Sequence, residues 1–287
     1  TISGAFFGIY LARTTGCVIT GNVLTGRAAS SEGDAGNGIH LWTTRDVDVS
    51  DNSITGHRDG IYLEFTNQVR ARRNVSERNL RYGLHFMFSD DCAYEGNTFR
   101  ANQAGVAVMY TKRVAMIRNS FEGNWGAAAY GLLLKEIYDS EITGNTFARN
   151  STALLADGAT RLQARGNRFI DNGWAVKLIS STEDAQFTGN VFSGNSFDLA
   201  TNGRRSNNVL HGNYWDAYEG YDLNRDGIGD VPHRPVRLFS LLVERSEPTM
   251  IMLRSPLIAL LDRAERLIPS LTPETLMDSA PLMRRPQ

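Results

Sequence analysis

"EGNTFRANQAGVAVMYTKRVAMIRNSF", Glu95–Phe121, begins and ends on one phrase. Asn97 is followed two residues later by Phe99, and 22 residues further on Asn119 is followed by Phe121. Between them stand a second asparagine, Asn102, the run "GVAVM" from Gly105, and apolar Val114 and Met116 one residue apart. Alternation of this kind over a few residues marks a strand with one buried face.

Outward from this stretch the phrase recurs as "TGNVL", "TGNTF", "RGNRF", "TGNVF" and "HGNYW". Its asparagines are Asn22, Asn52, Asn74, Asn97, Asn119, Asn145, Asn167, Asn190 and Asn213. Successive gaps are 22 or 23 residues, save 30 before Asn52 and 26 before Asn145. A repeat of this length is one structural unit of a solenoid. The period predicts an all-β, right-handed parallel β-helix of about nine to ten coils of 22–23 residues over 1–221. Leucine-rich repeats have a similar period but need a leucine consensus absent here. At 287 residues the chain is long for one compact domain, yet a solenoid grows by adding coils rather than by enlarging its core.

Each column has a physical reading. Two residues past the marker sit Ile54, Phe99, Phe121, Phe147, Phe169, Phe192 and Trp215, an inward stack filling the core. Five past it come Asn79, Asn102, Asn124, Asn150, Asn172 and Asn195, expected to hydrogen-bond coil to coil. His57 falls in that column and reads as a turn residue in place of asparagine. Cys17 and Cys92 share a column three coils apart, roughly 14 Å at ~4.8 Å per coil. That exceeds the reach of a disulfide, about 7 Å between Cα atoms, so both are expected to be free, buried thiols.

A further strand opens at Gly8, Gly38, Gly60, Gly83, Gly105 and Gly131, as in "GIHLW", "GIYLE", "GLHFM" and "GVAVM". Its outward positions carry His40 and Trp42, Tyr62 and Glu64, His85 and Met87, Ala107 and Met109, then Leu133 and Lys135. Thioethers beside an imidazole form a soft donor set suited to Cu(I) rather than Mg²⁺ or Ca²⁺, so His85, Met87 and Met109 are the candidate Cu(I) ligands. Trp42, Tyr62 and Glu64 with these methionines equally describe a patch that docks a partner protein. Both readings stand at this point.

After the last marker, Asp222, Asn224, Asp226, Gly227 and Asp230 follow the spacing of a calcium loop, with the Ile228 carbonyl at the seventh position. His233 occupies the twelfth position, where an EF-hand carries glutamate. The stretch 222–235 is therefore expected to be a capping loop that takes Ca²⁺ weakly. Beyond Pro235 the repeat stops. In the partly helical tail, 236–287, Leu257, Leu260 and Leu261 lie on a helical stretch between Pro256 and Pro269 and are expected to pack on a partner.

The net charge of −1 argues against nucleic-acid binding, and no window of the sequence is apolar enough to span a membrane. No signal peptide is visible, and the chain opens inside the repeat, so a leader or first coil is expected to precede it. β-Helices include polysaccharide lyases and hydrolases, which need clustered acids on the outer face, whereas these columns offer Glu64 alone. A purely structural, adhesive β-helix would leave the specialised tail unexplained.

The coils, the strands "GIHLWTTRDV", "GIYLEFTNQV" and "YGLHFMFSDDC", the cap "GNYWDAYEGYDLNRDGIGDVPHRP" and the leucine-rich tail together resemble the NosD family, periplasmic maturation proteins of nitrous oxide reductase. The resemblance implies a periplasmic, non-enzymatic subunit on an ABC transporter, partnered by its membrane subunit and ATPase (NosY and NosF). It also implies copper arriving from a chaperone lipoprotein (NosL) for the copper–sulfur centre of nitrous oxide reductase (NosZ). In that context His85, Met87 and Met109 become Cu(I) transfer residues, and the tail becomes the contact with the membrane subunit.

Overall fold

The computed structural model describes residues 1–27, 32–126, 128–179, 181–202, 207–237 and 276–286. They wind into a right-handed parallel β-helix whose three faces are continuous sheets of ten, nine and nine strands. Each strand pairs in parallel with its equivalents one coil before and one coil after. The alternation seen in sequence is the cause: each short strand has one apolar face, and stacking coils buries all of them in one axial core.

The first sheet carries the aromatic column in register, Phe99 beside Phe121, Phe147, Phe169, Phe192 and finally Trp215. Between Phe121 and Phe192 the rings lie nearly parallel with centroids 4.5–4.9 Å apart. That is the coil spacing itself, so rise and ring thickness match without distortion.

Both asparagine columns are hydrogen-bonded ladders. In the first, the side-chain amide of each residue from Asn22 to Asn190 donates to the side-chain oxygen of the next, at 2.9–3.0 Å. The second runs from Asn79 to Asn195, and His57 leads into it through its backbone N–H, which donates to Asn79 Oδ1. Buried amides must be satisfied, and here each residue satisfies its neighbour.

The chain's end closes the solenoid in a way the repeat did not forecast. Asp278 is fully buried and accepts from the backbone amides of Gly212 and Asn213, the Asn213 side chain and the Trp215 indole. His233 and Asp278 exchange backbone hydrogen bonds of 2.9 Å as an antiparallel pair, and Val236 and Leu276 both enter the core. The second ladder also ends on a carboxylate, Asn195 donating to Asp198 at 3.2 Å. Leu257, Leu260 and Leu261, with the helical stretch expected around them, lie outside the described residues.

Both cysteines are free. Cys92 is buried as expected, and burial pushes its thiol up to about 11. Cys17 is only partly covered, because its column has no described coil in front of it.

Candidate functional site

The second sheet brings the expected residues together. Its strands Ile39–Trp42, Asp59–Glu64, Tyr82–Met87, Ala104–Lys112 and Tyr130–Tyr138 are adjacent rungs. Glycine opens them for a steric reason: a Cβ on Gly105 would lie 2.4 Å from the Gly131 carbonyl oxygen on the next coil. One outward row reads His40, Tyr62, His85, Ala107, Leu133, and the other Trp42, Glu64, Met87, Met109, Lys135. The register through this region is continuous, so Met87 and Met109 are direct neighbours, about 5 Å apart along the stack. Both are partly exposed.

His85 is less open than its outward position implied, at 5% exposure. Tyr62 stacks on one side and Tyr82 leans on the other, each with its ring centroid 4.8 Å from the imidazole. Its Nδ1 is 3.6 Å from the Asp59 carboxylate, and neither ring nitrogen has a hydrogen-bond partner among the described residues. Asp59 itself is fully buried and gripped by the Arg81 guanidinium, with Nε at 2.9 Å and Nη2 at 2.5 Å. Burial alone would raise that carboxyl, but the hydrogen-bonded Arg81 guanidinium, with the His85 imidazole close by, outweighs it and holds the group below the usual carboxylate range.

Tyr62 is also inlaid rather than exposed. Its ring is sandwiched 4.8 Å from both His40 and His85, and its hydroxyl donates to the Met87 sulfur at 3.6 Å. Burial, followed by the charges of Glu64 and Asp59, pushes the phenol up to about 12. His40 is held down to about 4 by burial and by Arg58, against an opposing pull from Asp59. Its Nε2 lies 3.9 Å from Glu64. Trp42 is half-buried, with the Arg13 guanidinium 5.1 Å over its ring.

The exposed apolar patch is therefore displaced by one residue from where the columns put it. Phe65, Phe88 and Tyr110 directly follow Glu64, Met87 and Met109, and are 52%, 43% and 42% exposed. Their rings stack at 5.1 and 5.2 Å into a ridge beside the methionines. All three sit at φ of 51–56°, the left-handed turn region that bulky residues seldom occupy. The signal was present in the sequence, aromatics recurring where a turn residue was due. A cleft of about 730 Å³ flanks the ridge, lined by Phe88, Tyr110, Lys112, Lys135, Glu136 and Tyr138 among others.

Among the described residues no group of three His, Cys, Asp or Glu side chains is placed to hold a metal ion. The metal chemistry open to this face is that of thioethers with an imidazole behind them, a soft and weakly charged set. In the calcium-type loop, Asp222 accepts from the amides of Arg225, Asp226 and Gly227, and Asp226 accepts from that of Ile228. Asp230 accepts from Leu223, and Gly227 takes φ of 86°. His233 turns away into the cap, its ring 5.0 Å from that of Trp215.

The fold defines a capped parallel β-solenoid, with Met87 and Met109 side by side on one outer sheet face and the last coil sealed by the C-terminal segment. The comparisons narrow this. Residues 16–220 match the family described as "NosD: Periplasmic copper-binding protein", and the chain belongs to that family. It is 32% identical to a protein of Pseudomonas aeruginosa named "Probable ABC transporter binding protein NosD", over 99% of this chain and 70% of that one. The like-named protein of Stutzerimonas stutzeri is 29% identical, over 99% and 68% respectively. Among solved structures, the enzymatically active domain of tailspike protein 2 of bacteriophage CBA120 superposes with a TM-score of 0.59 at 11% identity. That match covers 68% of this chain but 35% of the tailspike chain. A mannuronan C-5 epimerase A-module of Azotobacter vinelandii gives 0.51 at 15% identity, covering 72% and 70%. These two share the fold.

Proposed function

We propose that this chain is a periplasmic Cu(I)-binding and relay subunit seated on an ABC transporter, serving the copper–sulfur centre of nitrous oxide reductase. The observation that carries the reading is the adjacency of Met87 and Met109 in register, with His85 two residues back on the same face. Copper is cargo here. Two neutral thioethers bind Cu(I) without the charge that would trap it, and partial exposure leaves room for a donor protein's ligand to approach. The Phe65–Phe88–Tyr110 ridge alongside supplies apolar surface for that encounter. By the same reading copper comes from the chaperone lipoprotein and passes to the reductase, while the tail engages the membrane subunit and its ATPase.

Catalysis is no part of this proposal. A glycosidase needs two reachable carboxyl groups about 5–10 Å apart. Asp59 is fully buried under Arg81 and cannot meet a sugar, which leaves Glu64 without that partner. An anaerobic Cu(I) competition titration of the wild type beside Met87→Leu/Met109→Leu, with calcium present, tests the reading. Loss of one tight equivalent from a folded variant is expected. Equal binding in both would reduce this face to a docking surface.

A further inference from the structure

We propose that Tyr62 sets how firmly the Met87–Met109 pair holds Cu(I), by donating its phenolic hydrogen to the Met87 thioether. The proposal rests on the copper-relay reading above and deepens it. Tyr62 lies opposite His85 in register, one coil earlier, yet its hydroxyl reaches along the sheet to the Met87 sulfur at 3.6 Å. A thioether has two lone pairs. Donation from Tyr62 engages one and draws electron density from the sulfur, while the other remains for the metal. The result is a sulfur fixed in direction but weakened as a donor, which suits a site that must release its cargo.

The ring adds a second constraint. It fills the space between the imidazoles of His40 and His85, 4.8 Å from each. With Tyr82 on its other side, His85 is closed in, and both its nitrogens remain without a hydrogen-bond partner among the described residues. His85 is thus a reserve ligand behind a lid made by one side chain. With the ring in place the metal meets two sulfurs; with the ring displaced an imidazole can join them.

The test compares wild type, Tyr62→Phe, Tyr62→Ala and Met87→Leu/Met109→Leu as full chains. Cu(I) affinity is read against a chromophoric chelator, transfer to that chelator by stopped flow, and ligation by X-ray absorption. Tyr62→Phe keeps the ring and removes the donor. It should bind Cu(I) roughly two- to tenfold more tightly, the range of one lost hydrogen bond, and release it correspondingly more slowly. Its melting temperature and sulfur ligation should stay those of wild type. Tyr62→Ala should add a nitrogen ligand to the spectrum. Equal or weaker binding and equal release in Tyr62→Phe, beside a double variant that has lost copper, overturns this proposal alone. Binding that survives in the double variant overturns the copper reading and this proposal with it.

Discussion

Asn119 illustrates how much a single side chain does in this fold. Its amide donates to the Tyr94 carbonyl and to Asn145, while its oxygen accepts from both the backbone and the side chain of Asn97. Asn119→Ala would strand several buried partners, at about 2–4 kcal/mol if two of them stay unsatisfied. Asn22→Ala, at the partly exposed start of the ladder, should cost under about 1 kcal/mol. Urea unfolding of the two variants checks the contrast, and equal losses would contradict it. Such positions were legible in the sequence because period and residue type coincide. The copper candidates were legible only in part. Alternation along "GLHFM" gave the face of His85 and Met87 correctly, since strand geometry fixes it. The burial of His85 was hidden because it depends on how the Tyr62 ring tilts within the column, and on Tyr82, Asp59 and Arg81, which lie outside that column.

At the level of elements the closing segment matters most. Truncation after Pro235 removes Asp278, and with it four hydrogen bonds to the last coil. Such a variant should unfold from its C-terminal end and would say nothing about docking. Replacing 238–275 by a short flexible linker keeps the His233–Asp278 pair and the buried Val236 and Leu276. It should melt within about 2 °C of wild type yet lose co-purification with the membrane subunit, if the tail is the docking element. Retained co-purification would assign docking to the β-helix. The loop holding Asp222 gives a separate prediction. Ca²⁺ should raise the melting temperature by roughly 2–4 °C, the effect of about 1 kcal/mol of linkage in a chain of this size. Asp222→Asn should abolish the rise, whereas a melt indifferent to Ca²⁺ and EGTA would leave the loop as a turn closed by its own hydrogen bonds. Asp278 could not be read from the sequence, because it belongs to no repeat and lies 65 residues from the Asn213 it caps.

For the whole molecule, pH acts through its buried imidazoles. His40 and His233 are held down to about 4, mainly by burial, and His57 is lowered for the same reason. The unfolded chain, with imidazoles near 6.5, takes up protons in this window that the folded chain refuses, so stability should rise with pH from about 4 to 6.5. Asp198 opposes this: burial raises its carboxyl to about 6, so its contribution falls as pH climbs toward that value. Three imidazoles against one carboxyl leave a net rise. Thermal melts at pH 4.5 and 7 should differ in that sense, and Asp198→Asn should steepen the dependence; a flat profile would contradict the assignment. The overall fold was the most legible level, because one coil's grammar, repeated, dictates register, core and length together.

The two asparagine ladders share one more property. From one ladder residue to the next the donated bond runs toward the C-terminal end, and both series finish on a carboxylate, Asp278 in one and Asp198 in the other. Aligned head to tail, the amide dipoles sum along the axis, and an anion stands where their positive ends emerge, much as an acidic residue does at the start of an α-helix. The stack therefore has a sense of travel. An asparagine passes the donated hydrogen bond onward; an aspartate receives it and stops. Elongation and truncation are not equivalent at the two ends, and Asn145→Asp would place a full stop in mid-sentence, its side chain accepting from Asn119 while leaving Asn167 only the backbone N–H of residue 145.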